Sequence, residues 1–117
     1  MNERKIPIDL ECGLNIYALA AGGKWKACIL NYINGGIKRP CEIHKAMDYA
    51  TPRVLNMQIR ELHDHNIIAK TVYHTLPLKV EYDLTELGRS LLPILHAMES
   101  WGDIHRETIV EKRLETK

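Results

Sequence analysis

The strongest structural signal in this 117-residue chain is the segment TPRVLNMQIRELHD at residues 51–64. Thr51 is a residue type that caps helix N-termini, and Pro52 suits the first helical position because an N–H there has no partner within the helix. One face of the predicted helix is apolar and consists of Leu55, Ile59 and Leu62, helped by Val54. The residues that fall on its other faces include Arg53, Asn56, Met57 and Arg60.

Three shorter helices are predicted before this segment. Residues 12–21 form the first, which ends at the glycine pair 22–23, and residues 24–34 form the second. The second helix has an apolar stripe that consists of Trp25, Cys28, Ile29, Tyr32 and Ile33. Pro40 suits the start of a third helix over residues 40–48, with Ile43, Ala46 and Met47 turned inward. The short link to Thr51 makes the third and fourth helices a pair joined by a tight turn.

The periodicity changes to that of strands after residue 66. Residues 67–74 are rich in strand-forming residues, and residues 79–84 alternate between apolar and polar side chains. Residues 75–78 would join the two strands as a hairpin loop. Lys38 and Arg39 would form a further, very short strand.

A long last helix is predicted to begin after Thr85. It carries an apolar seam at spacings of four and three, made of Leu87, Leu91, Ile94, Met98, Trp101 and His105. Pro93 should bend this helix near residue 89, whose carbonyl loses its hydrogen-bond partner. Residues 107–117 are rich in charge, and we expect them to fray.

This order of elements predicts a winged helix-turn-helix. The fold class is mainly α with a small β-hairpin (α+β), and the long C-terminal helix serves dimerisation. A single domain over residues 1–117, with its core at about 10–102, accounts for the length. Such a domain places the second helix of the motif, here 51–64, in the DNA major groove. The positive end of that helix also suits a phosphate.

The charge distribution supports a polyanionic partner. Residues 24–79 carry nine Lys and Arg against four Asp and Glu, a net charge of +5, while residues 1–23 and 80–117 have net charges of −1 and −3. A basic middle between acidic ends is consistent with one face for DNA and another for a different contact.

Several classes of protein are excluded or disfavoured by the sequence. No apolar run approaches the roughly 20 residues that cross a bilayer, and no signal-peptide core follows the charged N-terminus. Three cysteines, an odd number, indicate a reducing, cytoplasmic setting. The sequence contains no nucleophile elbow, P-loop or dinucleotide fingerprint, so we expect no enzymatic activity and no cofactor.

Metal binding is not expected either. His63-Asp64-His65 is the densest group of ligand-type residues, but alternate residues on a helix point apart, and no CxxC or His-x3-His pattern supports it. Cys28 lies in an apolar stripe and is predicted to be an inert core residue. Cys41, although near a helix N-terminus, is expected to be unreactive.

Three segments together resemble the HxlR family of small bacterial winged helix-turn-helix transcription regulators. They are GGKWK at 22–26, QIREL at 58–62 and VEYDLTELGRSLLP at 80–93, and the resemblance covers about residues 10–102. It implies binding to double-stranded operator DNA as a homodimer, with the first and last helices forming much of the dimer interface. Cys12 matches a cysteine that members commonly carry at the start of the first helix, and in some members this cysteine senses electrophiles or oxidants.

The chain departs from the family pattern at two places. Residues 39–43 read RPCEI where the family usually has RFSEL, so a proline replaces an aromatic core residue. Gly13 follows Cys12 where proline is usual, which loosens the entry to the first helix. A helix N-terminus nevertheless favours the thiolate form of Cys12.

The expected functional residues form three groups. The residues predicted to contact DNA are Thr51, Pro52, Arg53, Asn56, Met57, Arg60, Lys79, Lys38 and Arg39. Arg53 should approach base edges or adjacent phosphates, and Lys79 should touch phosphate. The residues predicted at a homodimer interface are Leu14, Leu91, Ile94, Met98 and Trp101, with Leu19 adding to them. Cys12 is the candidate sensing residue.

Two functions remain open from the sequence. The first is a homodimeric, sequence-specific DNA-binding regulator that acts as a repressor and responds to electrophiles or oxidants through Cys12. The alternative is a winged-helix module for protein–protein contact that does not bind DNA. An apolar patch on the face that carries Arg53 and Arg60 would favour the second.

Overall fold

Six helices and one antiparallel hairpin make up residues 9–115, which are the residues that the computed structural model describes, except for the side chain of Glu115. The elements are α1 (Gly13–Ala21), α2 (Lys26–Asn34), α3 (Pro40–Ala46), α4 (Pro52–Asp64), β1 (Ile68–Tyr73), β2 (Lys79–Leu84), α5 (Glu86–Arg89) and α6 (Leu92–Glu115). This order confirms the predicted mainly helical architecture with a single hairpin.

The helix α4 forms as its sequence predicts. The Thr51 hydroxyl accepts a hydrogen bond from the Val54 N–H at 3.2 Å, and Pro52 occupies the first turn. Leu55, Ile59 and Leu62 are buried on its inner face. These three side chains join the core, whose other members are Ile29, Leu30, Ile33, Ile43, Met47, Ile67, Ile68, Leu84 and Leu95.

The inner face of α4 also holds the start of α2. The Gln58 side chain is buried, and its Oε1 accepts a hydrogen bond from the Trp25 N–H at 2.8 Å. One turn further on, Glu61 Oε1 lies 2.9 Å from Lys26 Nζ, and the Lys26 side chain is only 4% exposed. A Cβ on Gly23 would lie 2.9 Å from Gln58 Oε1, so a larger residue at this position would force the Gln58 side chain to shift. The segments 22–26 and 58–62 are therefore in direct contact.

The hairpin is anchored at its base and open at its tip. β1 and β2 pair antiparallel, with Ile68 opposite Leu84 and Tyr73 opposite Lys79. Ile68 and Leu84 are buried at the base, whereas the rest of β1 is exposed. The expected short strand at Lys38-Arg39 does not form. The backbone of this segment is linked to β2 by the Lys38 carbonyl, which accepts from the Tyr82 N–H at 2.9 Å. No ladder forms because α3 begins at Pro40 and leaves no length for one.

The predicted single long helix after Thr85 is instead two helices. The Thr85 hydroxyl caps α5 by accepting from the Gly88 N–H at 2.9 Å, and α5 ends after four residues. A new helix, α6, starts at Leu92 because Pro93 has no N–H to continue the hydrogen-bond ladder. α6 then stays helical through Glu115, so the fraying expected from residue 107 is not present within the residues described.

The cysteine in α2 was predicted wrongly as a core residue. Cys28 is exposed, and the buried face of α2 consists of Lys26, Ile29, Leu30 and Ile33. Cys28 lies on another side of the helix, where it borders a shallow cavity of about 280 Å³ shared with Leu95 and Met98. Cysteine is apolar enough to fit the periodic pattern, but Leu30 fills the core position instead.

The close approach of α5 to the base of the hairpin yields a stability prediction. A Cβ on Gly88 would lie 2.2 Å from the Ile67 carbonyl oxygen, so Gly88→Ala forces the backbone to shift and should cost about 1–3 kcal/mol of unfolding free energy. Gly102→Ala is the matched control. No atom lies within 4 Å of its added Cβ, and alanine in the helix should stabilise by about 1 kcal/mol.

Urea denaturation of both variants at one chain concentration measures this difference. A Gly88→Ala protein as stable as the parent would show that the contact with Ile67 is not tight in solution.

Candidate nucleic-acid interface

The outer face of α4 is polar, basic and exposed. Arg53, Asn56, Met57 and Arg60 recur at offsets of three, four and seven, opposite the buried set, and all four are exposed. Thr51 and Pro52 are exposed at the N-terminus of the same helix, where backbone N–H groups lack helical acceptors. Five of the residues predicted to contact DNA thus lie on one helix, and a sixth, Thr51, is its N-cap.

A cationic cavity lies between α4 and the hairpin. It has a volume of about 260 Å³ and is lined by Pro40, Asn56, Ile59, Arg60, His63, Lys70 and Tyr82. Arg60 and Lys70 bring two positive charges to it, and no carboxylate is among the lining residues. Lys70 was not predicted from the sequence. The register, which places Lys70 opposite Tyr82 beside α4, is the signal that identifies it.

Tyr82 forms the floor of this cavity as a neutral phenol. Burial raises the pKa of Tyr82 above its ordinary value, and the nearby positive charge of Arg60 opposes that rise. The His63 ring packs edge-on against Tyr82, with 6.2 Å between the ring centroids. Tyr82 therefore keeps its hydroxyl proton at neutral pH and remains a hydrogen-bond donor.

Two other basic residues predicted to contact DNA, Lys79 of β2 and Lys38 before α3, each lie close to a carboxylate. Lys79 Nζ lies 4.7 Å from the centre of the Tyr73 ring and 3.7 Å from Glu81 Oε2. Lys38 Nζ lies 2.5 Å from Asp83 Oδ1, and this hydrogen bond raises the pKa of Lys38 above its ordinary value. Lys38 also lines a different cleft from Arg60, so the structure does not bring all the predicted basic residues together.

The side chains of α3 and α4 meet at one polar contact. His44 Nε2 and Asn56 Oδ1 are 2.8 Å apart. Arg39, at the start of α3, is half-buried, and its backbone N–H donates to Glu42 Oε1 at 3.4 Å. The proline at position 40 is accommodated as the first residue of α3.

The residues predicted for a dimer interface are mostly exposed in the single chain. Leu14 of α1 is 79% exposed, and on α6 the exposed fractions of Ile94, Met98 and Trp101 are 47%, 42% and 57%. Leu91 differs because it is half-buried against the core of its own chain. Tyr17 links α1 to α6 through a contact of its hydroxyl with Met98 Sδ at 4.0 Å.

All three cysteines are unpaired thiols. Cys12 is half-exposed at the residue before α1, and its carbonyl accepts from the N–H groups of Asn15 and Ile16. Cys41 is exposed in the first turn of α3. Among residues 9–115, no group of three or more His, Cys, Asp or Glu side chains could hold a metal ion. In that same range no helix has the length and apolar character of a membrane span.

Comparison with known proteins supports the helix-turn-helix architecture described above. The model of the HxlR-like helix-turn-helix family matches residues 20–110. The chain belongs to this family. Among its relatives is the HTH-type transcriptional regulator YybR of Bacillus subtilis (strain 168). YybR is 37% identical over 115 residues, and the alignment covers 97% of this chain and 92% of YybR.

Solved structures that are similar to this chain share its winged helix-turn-helix fold. The redox regulator HypR in its reduced form is 37% identical, with a TM-score of 0.79 over 86% of this chain and 99% of the HypR chain. HypR in its oxidised form is 40% identical, with a TM-score of 0.75 over 79% of this chain and 95% of the HypR chain. The predicted family and fold class are therefore confirmed, and the protein is a transcriptional regulator with a helix-turn-helix.

Proposed function

We propose that this HxlR-family regulator is a homodimeric repressor that binds double-stranded operator DNA in the cytoplasm. The observation that carries the proposal is the exposed basic face of α4, together with the cationic cavity beside it. Arg53, Asn56 and Arg60 stand in the row that a recognition helix presents to base edges. The cavity adds Lys70, and its positive charge would attract the phosphates of a DNA backbone.

The hairpin completes the proposed contact as a wing. Lys79 lies at the start of β2, stacked on Tyr73, and would reach a phosphate by leaving its weak contact with Glu81. Arg39 and Lys38 lie at the start of α3 beside β2, and we assign them to the backbone as well. Lys38 contributes less than its charge implies, because Asp83 already neutralises it.

The alternative function is a protein–protein module. Its strongest support is the tip of the hairpin, where the side chain of Leu76 is fully exposed and that of Leu78 is 59% exposed. The face of α4 argues for DNA, however, because its exposed residues are mostly charged or amide side chains rather than an apolar patch. For a protein that binds DNA, repression requires only that the protein occupy its operator.

The dimer is proposed to form through α1 and α6. These two helices expose Leu14, Leu19, Ile94, Met98 and Trp101, which is more apolar surface than a single copy of the chain covers. A twofold dimer would place two copies of α4 about 34 Å apart, one turn of duplex DNA, and would match a palindromic operator.

Sensing through Cys12 is proposed as the regulatory step. The thiol is half-exposed and adjoins α1, which belongs to the proposed interface. A bulky adduct on its sulfur, formed by attack of the thiolate on an electrophile such as a quinone, would push α1 against the partner subunit. The resulting rotation would change the spacing of the two α4 helices and weaken operator binding.

Substitutions on the DNA face should separate base readout from phosphate contact. Arg53→Ala should cost about 1–3 kcal/mol of operator binding and relax specificity at one position. Lys79→Ala should weaken binding evenly across sequences and lower the salt slope by about 0.9 for each phosphate that a protomer no longer neutralises. Fluorescence anisotropy over a range of salt concentrations measures both effects.

Lys112→Ala, an exposed lysine far along α6, is the control for loss of charge alone. Operator affinities that stay unchanged in both Arg53→Ala and Lys79→Ala would point to a different docking face or to the protein–protein module.

The assembly can be tested by placing a charge on the exposed face of α6. Sedimentation at micromolar concentration should show a dimer for the parent and a monomer for Ile94→Asp, because a carboxylate at the interface would be buried without a partner. Leu76→Asp adds the same charge to an exposed leucine of the hairpin tip and should remain dimeric. A stable monomer for the parent would exclude the proposed dimer.

The role of Cys12 can be isolated in a protein that carries Cys28→Ser and Cys41→Ser, because both of those thiols are exposed. Titration of this variant with a quinone should lower operator affinity severalfold, in step with the modification of Cys12 measured by mass spectrometry. Further replacement by Cys12→Ser should abolish the response. If Cys12 resists modification, or if the Cys12→Ser protein still responds, the sensing proposal fails.

A further inference from the structure

The hydrogen bond between His44 and Asn56 fixes the direction of an amide on the proposed recognition helix. The distance from His44 Nε2 to Asn56 Oδ1 is 2.8 Å. An amide oxygen can only accept, so His44 must carry its proton on Nε2.

Because Oδ1 is bonded to His44, the end of the Asn56 amide that remains available is the donor group Nδ2. The amide is planar, and its oxygen is turned toward α3. The two N–H bonds of Nδ2 have no acceptor within residues 9–115. Asn56 is exposed, in the same row as Arg53 and Arg60, and it also borders the cationic cavity.

The orientation of the amide decides which base Asn56 suits. Asparagine reads adenine with both of its groups, since Oδ1 accepts from adenine N6 while Nδ2 donates to N7. Guanine instead presents two acceptors in the major groove, N7 and O6. An amide that offers only N–H bonds matches the guanine edge, and it opposes the N6 donor of adenine.

We propose that His44 is a positioning residue for base readout: it holds Asn56 so that Nδ2 faces the operator and selects guanine over adenine at one position. This inference rests on the proposed function, in which α4 enters the major groove. His44 itself is half-buried on α3 and acts through Asn56 rather than on the base.

The experiment compares base preferences among variants at His44. Duplexes with each base pair in turn at every operator position are competed against the parent operator, and the position where Asn56→Ala loses its preference is the one that Asn56 reads. The parent should prefer guanine to adenine there. His44→Leu removes the donor, frees the amide to rotate and should shift the preference toward adenine by at least about fivefold.

Two further variants separate positioning from a general structural role. His44→Gln supplies an N–H donor to Asn56 Oδ1 and should restore the preference for guanine. Asn56→Asp retains an acceptor for His44 but has no N–H to offer, so it should lose the preference for guanine even though the contact with α3 persists. Circular dichroism of each variant verifies that the helices remain folded.

The results that would overturn this inference differ from those that would overturn the proposed function. A parent protein that binds no duplex DNA refutes the proposed function. A parent that binds with sequence preference while His44→Leu weakens every sequence equally, or leaves the preference unchanged, refutes only the role of His44. The role of His44 is also refuted, without refuting the proposed function, if Asn56→Ala alters the base preference at no position.

Discussion

The contact between the inner face of α4 and the start of α2 is the constraint on which the rest of this structure depends. The Lys26 side chain is 4% exposed, and within residues 9–115 the carboxylate that compensates for its burial is that of Glu61, 2.9 Å away. The free energy of removing an ammonium from water is large, so loss of Glu61 would leave a charge that the core cannot accommodate. Gln58 adds a neutral hydrogen bond to the Trp25 backbone beside it. The helix α4 is thereby held by polar as well as apolar contacts.

This arrangement explains how one helix serves two purposes. Leu55, Gln58, Ile59 and Leu62 form an inner row that fixes the position of α4. Among the described residues, the outer row forms a side-chain hydrogen bond to another helix at Asn56, and Arg60 borders the cavity beside the hairpin. The hairpin is placed by a comparable device. The Ile67 carbonyl accepts from both the N–H and the hydroxyl of Thr85, at 3.1 Å and 3.0 Å, and Gly88 packs against it. Both α4 and the hairpin are thus supported at their bases by specific backbone contacts.

Local signals in the sequence predicted the first four helices, the hairpin and the exposed row of α4, because capping residues and apolar periodicity act over a few residues. The features that sequence analysis missed depend on contacts between distant segments. Lys26 and Gln58 are of polar residue types, which are usually exposed. The tertiary fold shows that both are buried and paired with partners over 30 positions away. Cys28 fitted the apolar stripe, yet Leu30 filled the core. Lys70 was overlooked because its position beside Arg60 depends on strand register.

The break between α5 and α6 has a mechanical consequence. α6 contains 24 residues and is therefore about 36 Å long, yet its burial against the domain lies near its first turn, at Leu92 and Leu95. Such a helix is a lever whose pivot lies next to Pro93. A tilt of about 5° at the pivot displaces the far end by about 3 Å, since displacement grows with the length of the arm. Small changes in packing around residues 90–93 are therefore amplified along the exposed surface of α6.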